Sequence, residues 1–136
     1  MGKAINYLSL ARKGGLIEIG ETAAGDCVRR GRAKLIIVAA DASDNAQKRA
    51  GDYAKRIGQG SVRVPYAKEE ISKATGRPGC SMAAFTDAGI AAAFMKALAE
   101  EYGEEYSAAA EAAAAKRDRT NAAAAAARSA RERRRN

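Results

Sequence analysis

The sequence predicts an α/β protein in which helices cover both faces of an internal sheet. Helix and strand signals alternate through residues 3–99. The run LIIVAA at residues 35–40 is apolar throughout, as in a strand that is buried on both faces. The chain of 136 residues is long enough to bury a core without disulfides, and its large apolar side chains are concentrated before residue 99. These three observations favour a layered α/β domain.

The first half of this domain shows two helix and two strand signals. Residues 3–13 place apolar side chains on one helical face, and Gly14 and Gly15 end that helix. A short apolar strand follows at residues 16–19. Gly20 turns the chain into a second helix that ends at Gly31, and the buried strand at 35–40 comes next.

The second half repeats the alternation. Ser43 is placed to cap the helix with the clearest periodicity in the chain, which runs over residues 46–57. Asp87 opens the last helix of the domain. Between them, the sequence predicts a strand, a helix, a Gly/Pro loop and a strand at residues 61–64, 68–75, 76–79 and 81–85.

The end of the chain has a different composition, which predicts a domain at residues 1–99 and a tail at 100–136. Residues 107–136 contain no Leu, Ile, Val, Phe or Met. Five acidic residues occur in 100–111, and eight basic residues occur in 116–136. Abundant alanine, with acids early and bases late, favours a helix. We expect an Ala/Arg-rich tail, helical or disordered, that contributes little to the stability of the domain.

Composition also narrows the classes of function. The net charge of +8 favours a polyanionic partner. The chain has no histidine, the commonest general base, and Cys27 and Cys80 are solitary, so we expect no metal, no cofactor and no enzyme activity. The segment GETAAG at residues 20–25 has P-loop spacing but continues with Asp26 rather than lysine. The chain has no apolar run of roughly 20 residues, so we expect no membrane span. We also expect a monomer that is located in the cytoplasm.

Three groups of residues are candidate sites. Four cations occur in residues 29–34, more than capping of a helix C-terminus needs, which favours a phosphate contact. Asp41, Asp44 and Asp87 stand at strand-to-helix junctions, where helix capping explains them better than acid catalysis. The loop at residues 77–80, RPGC, fits either a plain connection or a close backbone approach to a ligand.

Three stretches together resemble a known family: LSLARKGGLIEIGE (8–21), VRRGRAKLIIVAADAS (28–43) and EEISKATGRPGCSMAAFTDAGIA (69–91). They are similar to the kink-turn-binding ribosomal proteins of the archaeal large subunit, and specifically to the small bacterial YlxQ-like branch. The resemblance covers residues 3–99. It implies a three-layer α/β/α sandwich with a mixed four-stranded sheet, and a role as a ribosome-associated RNA-binding protein without a cofactor.

The resemblance also implies where RNA would bind. The family seats a kinked RNA on the start of the second helix and on the loop before the last strand. It reads the RNA with Asn, Glu and Lys at the positions that Thr22, Ala23 and Asp26 occupy here. These departures predict weaker kink-turn recognition. The residues expected to bind RNA are Gly20, Glu21, Thr22, Arg30, Lys34, Lys73, Arg77 and Gly79.

The sequence therefore predicts a non-catalytic, translation-associated protein that binds structured, kink-turn-like RNA. The main alternative is a protein-interaction module that kept the sandwich and lost the RNA surface. A small-molecule enzyme is a second alternative, but it needs a site that the sequence does not reveal. Loss of affinity with added salt would favour RNA binding, because phosphate contacts release counterions.

Overall fold

The alternation of helix and strand is confirmed by a computed structural model, which describes residues 3–78 and 80–135. Gly and Pro residues end the elements where the sequence predicts. The elements in chain order are α1 (Ile5–Lys13), β1 (Ile17–Ile19), α2 (Glu21–Arg29), β2 (Leu35–Val38), α3 (Asp44–Arg56), β3 (Val62–Arg63), α4 (Lys68–Thr75), β4 (Met82–Phe85), α5 (Ala88–Tyr102), a 3-10 turn (Glu104–Tyr106) and α6 (Ser107–Arg135).

The four strands form one mixed sheet in the order β1-β4-β2-β3. Strand β4 runs antiparallel to both β1 and β2, whereas β2 and β3 are parallel. Every residue of β2 and β4 is buried, so both faces of the sheet are covered. Helices α2 and α3 pack on each other in one outer layer, and α1 packs on α4 and α5 in the other. The predicted three-layer sandwich is confirmed.

The sheet has two ends that matter for function. At the Gly20 end, β1, β2 and β3 finish and β4 begins, and the Gly20 N–H donates to the Met82 carbonyl at 2.9 Å. At the Lys34 end, β2 begins and β4 finishes, and the Lys34 N–H donates to the Phe85 carbonyl at 2.7 Å. Helices α2 and α3 both start at the Gly20 end and finish at the Lys34 end.

Side-chain caps fix the starts of two helices. The Ser43 hydroxyl accepts a hydrogen bond from the Ala46 N–H at 3.2 Å, and the Asp87 carboxylate accepts one from the Ile90 N–H at 2.9 Å. Asp41 accepts the Lys68 N–H at 2.8 Å, in the first turn of α4. Hydrogen bonds to the otherwise unpartnered N–H groups of helix starts explain Asp41 and Asp87, and Asp44 lies in the first turn of α3.

The tail is helical, and its first part packs on the domain. The predicted boundary between residues 99 and 100 falls inside α5. Tyr106 and Ala113 are buried in the core, and the Tyr106 hydroxyl donates to the Arg63 carbonyl at 3.2 Å. From residue 118 to 135 nearly all side chains are exposed. The expectation that residues 107–136 bury almost nothing is wrong for their first ten residues, because the small alanine side chains let α6 approach closely.

No helix in the described part of the chain is both long and apolar enough to span a membrane.

Candidate nucleic-acid interface

The turn at Gly20 sets the direction in which α2 starts. Its φ of 106° and ψ of 160° belong to a region that side chains other than glycine rarely adopt. A Cβ atom at this position would meet nothing within 4 Å, so the backbone conformation, rather than space, requires glycine. Because Gly20 has no side chain to cap α2, the first N–H groups of the helix are left for solvent or a ligand.

A groove lies at the Gly20 end and joins the two elements that the resemblance names. It has a volume of about 500 Å³. The start of α2 and the loop before β4 line it, together with the first turns of α3 and α4. The lining residues are Glu21, Ser43, Ala46, Lys68, Glu69, Ser72, Pro78 and Ser81. Two segments almost sixty residues apart in sequence therefore share one concave surface.

The charges around this groove largely compensate each other. Glu21 forms an ion pair with Arg49 of α3. The Lys73 Nζ atom lies 3.7 Å from the Glu69 Oε1 atom, and both side chains are about four-fifths exposed. Exposed pairs of this kind contribute little stability, but they leave the groove without the cationic excess that a phosphate backbone attracts.

The three reading positions carry no free cation. Thr22 is exposed on the first turn of α2, and Ala23 is half-buried. Asp26 forms an ion pair with Arg29, three residues later on the same helix. A carboxylate thus lies where the family that the sequence resembles has a lysine, and its partner is an arginine of its own helix.

Arg30 and Lys34 lie away from the groove. The sequence predicts that Gly20 and Arg30 both bind RNA, but they flank opposite ends of α2, a helix of nine residues. At 1.5 Å per residue, about 13 Å of helix separates them. Arg30 is exposed at the Lys34 end, and Lys34 is half-buried at the start of β2. The structure therefore divides the predicted residues between two sites.

The loop before β4 contributes to one wall of the groove. Gly76 ends α4 with a φ of 73°, and Arg77 and Pro78 follow it, both exposed. Pro78 contributes to the groove wall. Gly79, which the sequence also predicts to bind RNA, lies outside the described residues. Of the described residues in the predicted set, five lie at the Gly20 end and two at the Lys34 end. The five are Gly20, Glu21, Thr22, Arg77 and Lys73, which pairs with Glu69 of the groove wall, and the two are Arg30 and Lys34.

Lys116 of α6 is a cation that sequence reasoning missed. Its ammonium donates to the Ile57 carbonyl at 3.4 Å, at the C-terminal end of α3. Burial lowers the pKa of Lys116, and the nearby Lys34 and Arg119 lower it further. No sequence signal marks this placement, because alanines at positions 108–110 and 112–115 occupy every face of this part of α6.

Comparisons with known proteins identify the fold. No family model and no curated protein sequence matches the chain. Among solved structures, a protein of unknown function from Bacillus halodurans is 21% identical, with a TM-score of 0.65 over 72% of this chain and 98% of the other. The 15.5kD RNA binding protein of Giardia lamblia is also 21% identical, with a TM-score of 0.54 over 80% and 85%. At this identity the likeness shows a shared fold.

Proposed function

We propose that the protein binds structured RNA without catalysing a reaction on it, and that it acts with the translation machinery in the cytoplasm. The observation that carries the proposal is the groove, because it joins the start of α2 to the loop before β4. These are the two elements on which the family that the sequence resembles seats a kinked RNA. The Giardia lamblia protein of the same fold is itself described as an RNA binding protein.

The backbone geometry of the groove suits a nucleic acid backbone, although its charged side chains are largely paired. Free N–H groups at the start of a helix bind phosphate oxygens, and Gly20 lets a backbone approach closely. Arg77 is exposed and immediately precedes Pro78, which lines the groove. The net charge of +8 supplies long-range attraction for any polyanion.

Recognition of a kink-turn is proposed to be weak. Thr22, Ala23 and Asp26 provide neither the amide and carboxylate that would pair with base edges nor a cation for the phosphate. Phosphate contacts position a nucleic acid, whereas base contacts specify it. The groove should therefore hold RNA with little preference for a kinked form.

The test compares the full chain on two RNA hairpins, one with a standard kink-turn and one in which Watson–Crick pairs replace the kink. The unaltered protein should bind both, with similar affinities, at low salt. Absence of binding to either RNA would refute the proposed function. A pull-down with the full chain tests the alternative. Protein partners that stay bound after RNase treatment would favour a protein-interaction module on the same fold.

The reading positions can be tested by gain of function. The triple variant T22N, A23E and D26K should raise affinity for the kink-turn hairpin by about tenfold and leave the plain hairpin nearly unchanged, since a good base contact contributes about 1–3 kcal/mol. The triple variant adds one positive charge, so D52N on the exposed face of α3 is the matched control. Nanomolar binding of the kink-turn hairpin by the unaltered protein would contradict the explanation given for these positions.

A further inference from the structure

Five cations lie at the Lys34 end of the sheet, opposite the groove. Three come from the connection between α2 and β2, and two come from α6. Lys116 lies over the C-terminal end of α3, and both Lys34 and Arg119 are close enough to shift its titration. The members of this Lys34 cluster are Arg30, Arg32, Lys34, Lys116 and Arg119.

The cluster has more cations than nearby acids. Four ion pairs occur within residues 3–78 and 80–135, and none of them includes a member of the cluster. Arg30 and Arg32 line a shallow pocket with Glu18 and Asp26. Asp26 is paired with Arg29, which leaves Glu18 as the acid of this pocket that faces the cluster. Holding like charges near one another opposes folding, so an excess of five cations over one nearby acid requires another explanation. A polyanion would neutralise them.

Helix α6 continues outward from the cluster. Residues 118–135 project for about 27 Å at 1.5 Å per residue. Alanines occupy positions 122–127, and arginines dominate the end of the helix at positions 128, 131 and 133–135. The projecting helix therefore extends the positive surface away from the sheet, at the end opposite the neutral groove.

We propose that the Lys34 cluster and the projecting part of α6 form a second RNA contact, which binds the phosphate backbone of a duplex segment irrespective of its sequence. This inference rests on the proposed function and assigns most of the affinity for RNA to the Lys34 end. The groove then contributes orientation and whatever selectivity the protein has. The ligand is a run of closely spaced phosphates, because five cations spread along one end match a line of charge better than a single small anion.

The experiment measures how affinity for a plain RNA duplex depends on salt. The variant R32Q/K34Q/R119Q removes three cluster cations but keeps Lys116, which packs on the domain. The control K3Q/K48Q/K96Q removes three exposed lysines elsewhere. Each lost phosphate contact lowers the slope of log affinity against log salt by about 0.7–0.9. The cluster variant should lose about two units of slope, and the control should lose much less.

The outcomes separate this inference from the proposed function. If the unaltered protein binds no RNA, the proposed function fails. If it binds RNA and the two triple variants lose slope equally, the Lys34 cluster is refuted while RNA binding stands. Removing residues 118–136 should lower the slope further. A second outcome would also overturn the inference. If the unaltered protein binds phosphatidylserine vesicles, and the cluster variant loses that binding but keeps its affinity for RNA, the surface is assigned to a membrane.

Discussion

Two truncations of α6 should differ in their effect on the stability of the protein. Removing residues 118–136 takes away the exposed part of the helix and should leave the melting temperature nearly unchanged. Removing residues 107–136 also takes away the part that packs on the domain. We expect this longer truncation to lower the melting temperature by about 10 °C, because it uncovers core side chains.

The magnitude follows from what the first turns of α6 bury. Ala113 is 5% exposed, and Ala109 and Ala110 pack against the core. Three alanine methyls contribute about 2 kcal/mol at roughly 0.8 kcal/mol each. The same turns line a cleft with Leu35 and Val62, so their loss also exposes the edge strand of the sheet. The sum is about 2–4 kcal/mol, and 1 kcal/mol shifts the melting temperature of a chain of this size by roughly 4 °C.

The assay is thermal unfolding followed by circular dichroism, with urea unfolding as an independent measure of the free energy. The two truncated chains keep Tyr106 and its hydrogen bond to the Arg63 carbonyl, so the comparison isolates α6. Equal melting temperatures for the two truncations would refute the packing of residues 107–117. A drop of many degrees on removing only residues 118–136 would contradict the exposure of the projecting helix.

Three further predictions concern local features, and each is tested by substitution. Gly20→Ala should destabilise the protein by about 1–3 kcal/mol in urea unfolding, because its φ of 106° suits only glycine, whereas Gly51→Ala in the open middle of α3 should be neutral or stabilising. Asp87→Ala should cost about 1 kcal/mol through loss of the α5 cap, and Asp87→Asn, which keeps an acceptor for the Ile90 N–H, should cost less. Burial raises the pKa of the Cys80 thiol to about 11 from 9.0. The native state therefore keeps a proton that the unfolded chain releases, so stability should fall as pH rises from about 9 to about 11, and Cys80→Ala should remove that part of the dependence.

Much of the fold is readable from the sequence because each element has strong local signals. Glycines end α1, α2 and α4, and each helix of the domain shows a periodic apolar face. Ser43 and Asp87 are correctly predicted as caps because their side chains act on the N–H groups three residues later. The apolar run at residues 35–40 correctly indicates a strand with both faces covered.

The position of α6 could not be predicted in the same way. An alanine-rich helix has little contrast between its faces, so periodicity does not show which side packs. The packed side is set by tertiary contacts, including Tyr106 with the Arg63 backbone and Lys116 with the Ile57 carbonyl. Likewise, Gly20 and Arg30 are close in sequence, so the sequence predicts that they share one surface. In the structure they lie at opposite ends of the sheet, because α2 separates them.

That separation explains why neither end of the molecule alone has the properties of a specific RNA site. The groove has a concave shape and free backbone donors, but its charges are paired. The Lys34 cluster has unpaired charge but no deep cavity to read a base. If one RNA contacts both ends, the first contact raises the effective concentration of the second, so weak recognition in the groove suffices to orient an RNA that the cluster already holds. Restoring base contacts at Thr22, Ala23 and Asp26 should then change which RNA is preferred far more than it changes the dependence of binding on salt.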